Sequence, residues 1–188
     1  MSEESVSGGA SDPLLLSVSQ QGAHTPSFLQ QIFQCVSVAG LAMASYFVIS
    51  HFVLQTVQVV GVSMVPTLHH SQHYLLNRWV YYVRTPKRCD VVVLRDPIDK
   101  SFAVKRIIGT AGDHLVFKNG GVYVNGQKLA EPYLAPGMPT FTCSDKNEES
   151  FTLSKDQYFV LGDNRRNSSD SRSYGPVPRQ NILGLIVR

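Results

Sequence analysis

The chain has 188 residues, 43% of them hydrophobic and 16% charged, with a net charge of +3. That length holds one medium domain plus an appendage, and the weak, scattered positive charge excludes a dedicated nucleic-acid surface. The three cysteines, Cys35, Cys89 and Cys143, show no C-x-x-C spacing, so they imply no zinc centre, while a Cys89–Cys143 pair stays open.

Residues 1–31 contain no Lys or Arg, are rich in Ser, Gly and Gln, and carry Pro13 and Pro26. This is the composition of a flexible tail. From Ile32 to Leu54 there is no Asp, Glu, Lys or Arg. A helix over 32–55 would extend about 35 Å, enough for a ~30 Å hydrocarbon core. A core helix is commonly shorter with charged ends, and a cleaved leader has a basic start and a shorter apolar run. The segment therefore reads as a permanent membrane anchor. Its first flanking cation is Arg78, on the C-terminal side, and charge alone would favour the cytoplasm for that side.

From residue 56 the helical pattern gives way to short β-type runs at 57–64, 73–83, 90–96, 102–109, 114–129, 151–163 and 182–187. Asn119-Gly120 and Asn125-Gly126 mark tight turns. The expectation is a mainly β fold, an antiparallel sheet or barrel-like domain over 56–188, with the polar, proline-bearing 130–150 as a loop or insertion.

Three stretches carry candidate chemistry. Ser63 lies in 59-VVGVSMVPTL-68, after Gly61 and before Pro66; a lone serine with apolar neighbours is more often a buried, satisfied hydroxyl than a nucleophile. The histidines at 69, 70 and 73 lack a nearby carboxylate, which argues against a metal, and a triad through His114 and Asp113 has no motif behind it. Lys105 interrupts 102-FAVKRIIG-109, where alternation puts Ala103 and Lys105 on one face and Arg106 on the other. Burial there would lower the lysine pKa and free an amine to act as base, whereas snorkelling to water would make it ordinary. The third stretch, 162-GDNRRNSSDSRSYGPVP-178, concentrates hydrogen-bonding groups directly after an apolar strand, as a site scaffold does, and Asp170 and Arg172 can pair.

Taken in order, Ser63-Met64-x-Pro66-Thr67-Leu68, Asp90-Val91-Val92-Val93, Lys105-Arg106-Ile107-Ile108-Gly109 with Gly112-Asp113, and Gly162-Asp163-Asn164-Arg165 with Ser168, Asp170, Ser171 and Arg172 resemble the motifs of type I signal peptidases. The resemblance covers about residues 57–188, and the apolar segment lies where that family has its anchor. It implies a membrane-bound serine endopeptidase that needs no cofactor and cleaves signal peptides from exported preproteins. Ser63 would be the nucleophile, with its own backbone N–H serving the oxyanion, and Lys105 the general base. Ser168 would orient the Lys105 amine, Asp170 and Arg172 would form a supporting ion pair, and Asp163 would belong to the same scaffold.

An extended substrate would add as a strand beside 57–64 and the strand of Lys105. Val57, Val59, Gly61, Val62, Met64 and Ala103 would form shallow pockets, in keeping with the family's small residues at the first and third positions before the cut. The chain departs from the family in three places. Gly61 stands where some members carry a hydroxyl that completes the oxyanion hole, Arg166 where an acidic residue is common, and Cys89 where glycine is common. Trp79, Tyr81 and Tyr82 suit either a lipid interface or packing within the sheet.

The partners implied are preprotein signal peptides and a lipid bilayer, without nucleic acid; no oligomeric state follows. An acidic tail (Glu3, Glu4, Asp12) without arginine favours the bacterial cytoplasmic membrane over an organelle such as the mitochondrial inner membrane, and the resemblance, not the charge pattern, implies a catalytic domain on the outer face. A self-cleaving Ser/Lys repressor would need a DNA-binding head in place of the apolar segment. A tethered, catalytically silent peptide-binding β-domain is the reading from another class.

Overall fold

The structure, a computed structural model, describes residues 27–50, 54–142 and 148–187. Most of the tail, His51 and Cys143 lie outside the described residues, and with Cys143 the open question of a Cys89–Cys143 pair.

The apolar helix α1 spans Phe28–Val48, earlier at both ends than the expected 32–55. Ser27 starts it four residues sooner through a capping box: its hydroxyl accepts the Gln30 amide (3.4 Å), and the Gln30 side chain accepts the Ser27 amide (3.0 Å). At the other end Leu54 and Gln55 already belong to a strand. The 21 residues of α1 reach about 31 Å, carry no charge and include none that is buried, so by length and composition the helix can cross a membrane.

The other described residues are mainly antiparallel β structure. Its strands are β1 (Leu54–Gln58), β2 (His73–Asn77), β3 (Val91–Arg95), β4 (Phe102–Gly109), β5 (His114–Lys118), β6 (Gly121–Val124), β7 (Gln127–Lys128), β8 (Glu148–Thr152), β9 (Gln157–Leu161), β10 (Val177–Pro178) and β11 (Ile182–Val187). Seven form one sheet in the order β1-β2-β11-β3-β4-β9-β10, and four form a second in the order β7-β6-β5-β8. The two Asn-Gly turns are present, with φ of 51° and 70° at Asn119 and Gly120 and 53° and 82° at Asn125 and Gly126.

Several expected runs resolve differently. The run 57–64 stops being a strand at Gln58, because Gly61 takes φ +111° and Val62–Leu68 form successive turns. The run 73–83 ends in a helical turn, α2 (Val80–Val83), to which the Asn77 side chain contributes by accepting the Val80 amide (3.0 Å). There Tyr81 is buried, donating its hydroxyl to Asp90 (2.9 Å), which removes it from any lipid interface; Trp79 and Tyr82 remain exposed. The run 151–163 splits at a turn through Asp156 (φ 60°) into β8 and β9, which join different sheets. Part of the expected 130–150 loop, from Glu148, is strand β8.

β3 explains why 91-VVVL-94 is apolar at every position. Val92 and Leu94 pack with Ile107, Val160 and Tyr158 on one face, while Val91 and Val93 pack with Met64, Leu68 and Leu76 on the other. A third cluster joins the sheets around Phe117 and Phe159, with ring centroids 5.4 Å apart.

Strand β4 is asymmetric, and that asymmetry makes the site. All of Val91–Arg95 pairs with Arg106–Phe102, but β9 pairs only with the Arg106–Gly109 half. Among the described residues, Phe102–Lys105 therefore keep one edge free, and β1, at the end of its sheet, keeps another.

Gly184 in β11 lets β2 approach closely: a Cβ there would come within 2.8 Å of the Asn77 carbonyl. Gly184→Ala is expected to cost about 1–3 kcal/mol, because backbone must move. Thermal unfolding in detergent checks this, and an unchanged midpoint would contradict it.

Candidate active site

Ser63 sits in the turns that follow β1. Met64 and Leu68, both essentially inaccessible, pin the segment into the core, and the Leu68 amide donates to the Met64 carbonyl (2.9 Å). On the outer side the Gly61 amide donates to His70 Nδ1 (3.0 Å), so this histidine supports the turn. Between these anchors Ser63 is half-buried, and its amide donates to no acceptor among the described residues. That leaves a donor for an oxyanion.

Lys105 comes to it from β4, 42 residues further along the chain, with Nζ 3.2 Å from Ser63 Oγ. The lysine is 5% exposed. Burial pushes its pKa below the ordinary lysine value of 10.5; the nearby carboxylates of Asp170 and Asp96 oppose the shift without cancelling it. With the amine protonated, Lys105 donates to the serine; with it neutral, the serine hydroxyl donates to Nζ. The second state is a nucleophile hydrogen-bonded to its base.

The alternatives weighed from sequence do not assemble. Asp113 is engaged by Arg88 (2.9 Å), the Thr110 amide (2.8 Å) and Asn125 (2.8 Å). Among the described residues no group of His, Cys, Asp and Glu could hold a metal ion.

The support lies on the opposite face of β4. Arg106 forms a two-pronged pair with Asp163 (2.9 and 2.7 Å), both side chains buried, and also donates to the Cys89 carbonyl (3.0 Å) and stacks 3.9 Å from the Tyr133 ring centre. Cys89 holds φ +71°, the conformation that favours glycine. Next to Asp163, the Asn164 amide donates to the Ser63 carbonyl (2.9 Å), and its side chain donates to the Val62 carbonyl (3.2 Å). Lys105 and Ser63 are thus joined through Arg106, Asp163 and Asn164. Arg106 and Asn164 were legible as motif residues, but their partners were not.

Asp170 accepts from Arg172 Nε and Nη2 (2.8 Å each) and from the Gly162 amide (3.0 Å), so the expected ion pair forms and also holds the loop. At Gly162 a Cβ would meet the Ser168 hydroxyl and, at 2.6 Å, the Ser63 carbonyl; only a glycine lets the three segments meet. Ser168 is therefore beside the dyad, yet its buried hydroxyl has no hydrogen-bond partner among the described residues, and the expected bond to Lys105 is not made. Arg166 is exposed. Arg165, whose role the sequence did not reveal, is buried against Glu131 and the Thr140 hydroxyl and ties the 129–142 loop to the block.

A groove of about 570 Å³ runs from the dyad between the free edges of β1 and β4. Val57, Val59 and Ala103 line it, together with Leu76 and Val104. Gly61, Val62 and Met64 do not: the turn at Gly61 leaves the groove, Val62 points to solvent, and Met64 fills the core beneath.

Residues 32–188 match a family model described as signal peptidase, peptidase S26. The chain is 37% identical over 149 residues to a signal peptidase I of Bacillus amyloliquefaciens, with 77% of each chain covered. It is 38% identical over 161 residues to signal peptidase I S of Bacillus subtilis, covering 82% of this chain and 86% of that one. A solved signal peptidase I of Enterococcus faecalis is 29% identical and aligns with 55% of this chain and 98% of its own, at a TM-score of 0.48.

The buried amine has a pH signature. An unfolded chain keeps the lysine proton up to the ordinary value of 10.5, whereas the folded chain releases it at lower pH. Between the two values the unfolded state binds more protons, so stability rises with pH. Lys105→Met should therefore be more stable than the wild type, with a gap widest at low pH and closing as pH approaches 10.5. Paired unfolding midpoints across the range check this; a gap that does not shrink with pH would contradict it.

Proposed function

As a member of the signal peptidase family, peptidase S26, the chain is a serine endopeptidase, and we propose that Ser63 and Lys105 are the nucleophile and base with which it cleaves signal peptides from exported preproteins. The observation that carries this is the 3.2 Å approach of Lys105 Nζ to Ser63 Oγ at the end of a groove flanked by two unpaired strand edges.

The preprotein enters extended, and its backbone pairs with β1 on one side and with Phe102–Lys105 on the other. The residues before the cut occupy this groove, and the Val57, Val59 and Ala103 walls suit small side chains. Neutral Lys105 takes the proton as Ser63 Oγ bonds to the scissile carbonyl, and the Ser63 amide donates to the developing oxyanion. Collapse breaks the C–N bond, and the Lys105 ammonium returns its proton to the departing amine, leaving the signal peptide esterified to Ser63. Lys105 then removes a proton from water, which attacks the ester; the peptide leaves with a free carboxyl group and Ser63 regains its proton.

Arg106, Asp163, Asn164, Asp170 and Arg172 are positioning residues in this scheme: they hold the two reacting side chains and touch no substrate. Ser168, whose buried hydroxyl lies against Gly162, is the residue assigned to steady the amine during the reaction. We place the chain in the bacterial cytoplasmic membrane, anchored by α1 with the catalytic domain on the outer face. The bacterial relatives and the uncharged helix support that setting.

Ser63→Ala and Lys105→Ala should each lower preprotein cleavage at least about a hundredfold while the chain stays folded, the range for loss of a nucleophile or general base. The assay is processing of a preprotein with small residues before the cut, in reconstituted membranes. Near-full activity of folded Lys105→Ala would show that another group is the base.

A further inference from the structure

The groove carries a cation that the cleavage scheme does not use. Arg78 directly follows β2, whose last residue, Asn77, pairs with Leu54, so it lies beside the start of β1, at the end of the groove away from Ser63. Arg84, Arg88, Arg106, Arg165 and Arg172 all have carboxylate partners. Arg78 is exposed, and its guanidinium has no ion pair or hydrogen bond among the described residues. Among the described residues no carboxylate lines the groove. The other cation among the described lining residues is Lys105, which burial drives toward the neutral form, so Arg78 carries the lasting positive charge there.

From Val59, near the dyad, back to Gln55, near Arg78, is four strand steps, or roughly 13 Å at about 3.3 Å per residue. A peptide lying extended along β1 with its cut at Ser63 therefore brings about its fourth to sixth residue before the cut to Arg78.

We propose that Arg78 is a specificity-determining residue, favouring an acidic and disfavouring a basic side chain about four to six residues before the cleavage site. The proposal rests on the groove being the substrate channel, as above. The pair it forms with substrate is exposed, so the preference is modest, about two- to fivefold in kcat/KM between a charged and a neutral side chain, and it fades with added salt.

The test uses the full chain in detergent at low ionic strength, with peptides that have small residues before the cut and Glu, Gln or Lys placed in turn at the fourth, fifth and sixth positions. Ratios of kcat/KM within one protein preparation cancel any difference in folded fraction. The wild type is expected to rank Glu over Gln over Lys at one or more of these positions. In Arg78→Gln the Glu-to-Lys ratio should fall to near one, and in Arg78→Glu it should invert. If the wild type cuts the Gln peptides but shows no ranking, or if the ranking survives in both variants, the proposal is overturned while the peptidase reading stands. If the wild type cuts none of the peptides, the channel reading fails, and this proposal fails with it.

Discussion

A primary amine held out of water beside a serine hydroxyl is the interaction on which the rest of this structure depends. Each unit by which burial lowers the Lys105 pKa costs about 1.4 kcal/mol of stability while the group remains charged. The fold accepts that cost and does not relieve it with a direct ion pair: Asp96 and Asp170 are close enough to act through space, but neither binds Nζ. A lysine salt-bridged to Asp170 would be a more stable residue and a poorer base. Arg172 prevents this by occupying Asp170 with two hydrogen bonds.

The geometry follows from a single strand performing two tasks. The C-terminal half of β4 is paired on both sides and carries Ile107 and Ile108 into separate cores, which fixes the strand. The N-terminal half is paired on one side only and leaves an edge for a peptide. Lys105 and Arg106 straddle the junction and point to opposite faces. The amine meets Ser63, and the guanidinium meets Asp163, whose neighbour Asn164 holds the Ser63 carbonyl. Displacement of the buried Arg106–Asp163 pair would thus be transmitted to the spacing between the reacting atoms, to which rate is steeply sensitive.

Much of this was legible in the sequence, for reasons that differ by element. The uncharged run before residue 55, the Asn-Gly turns and the dense 162–178 block each follow local rules, and Ser63, Lys105, Asp170 and Arg172 stood out within motifs. The end of β1 did not, because an apolar run such as 59–68 looks the same whether it continues a strand or forms turns pinned by Met64 and Leu68. The partner of Arg106 lies 57 residues away, a separation at which no local pattern signals contact. The walls of the groove were half legible for the same reason: Val57, Val59 and Ala103 follow strand alternation, whereas Val62 and Met64 lie beyond the point where alternation stops. The capping box at Ser27 and Gln30 was readable in principle, but it lies within the Ser- and Gln-rich stretch whose composition reads as tail.

Whether the Lys105 amine is available as a base is read from the titration of that nitrogen itself. In a full chain carrying isotope-labelled lysine, the Lys105 resonance is identified by its loss in Lys105→Met and then titrated with pH. The midpoint is expected below 10.5, the ordinary lysine value. A midpoint at or above that value would contradict that expectation, leaving Ser63 facing an ammonium ion with no base to accept its proton.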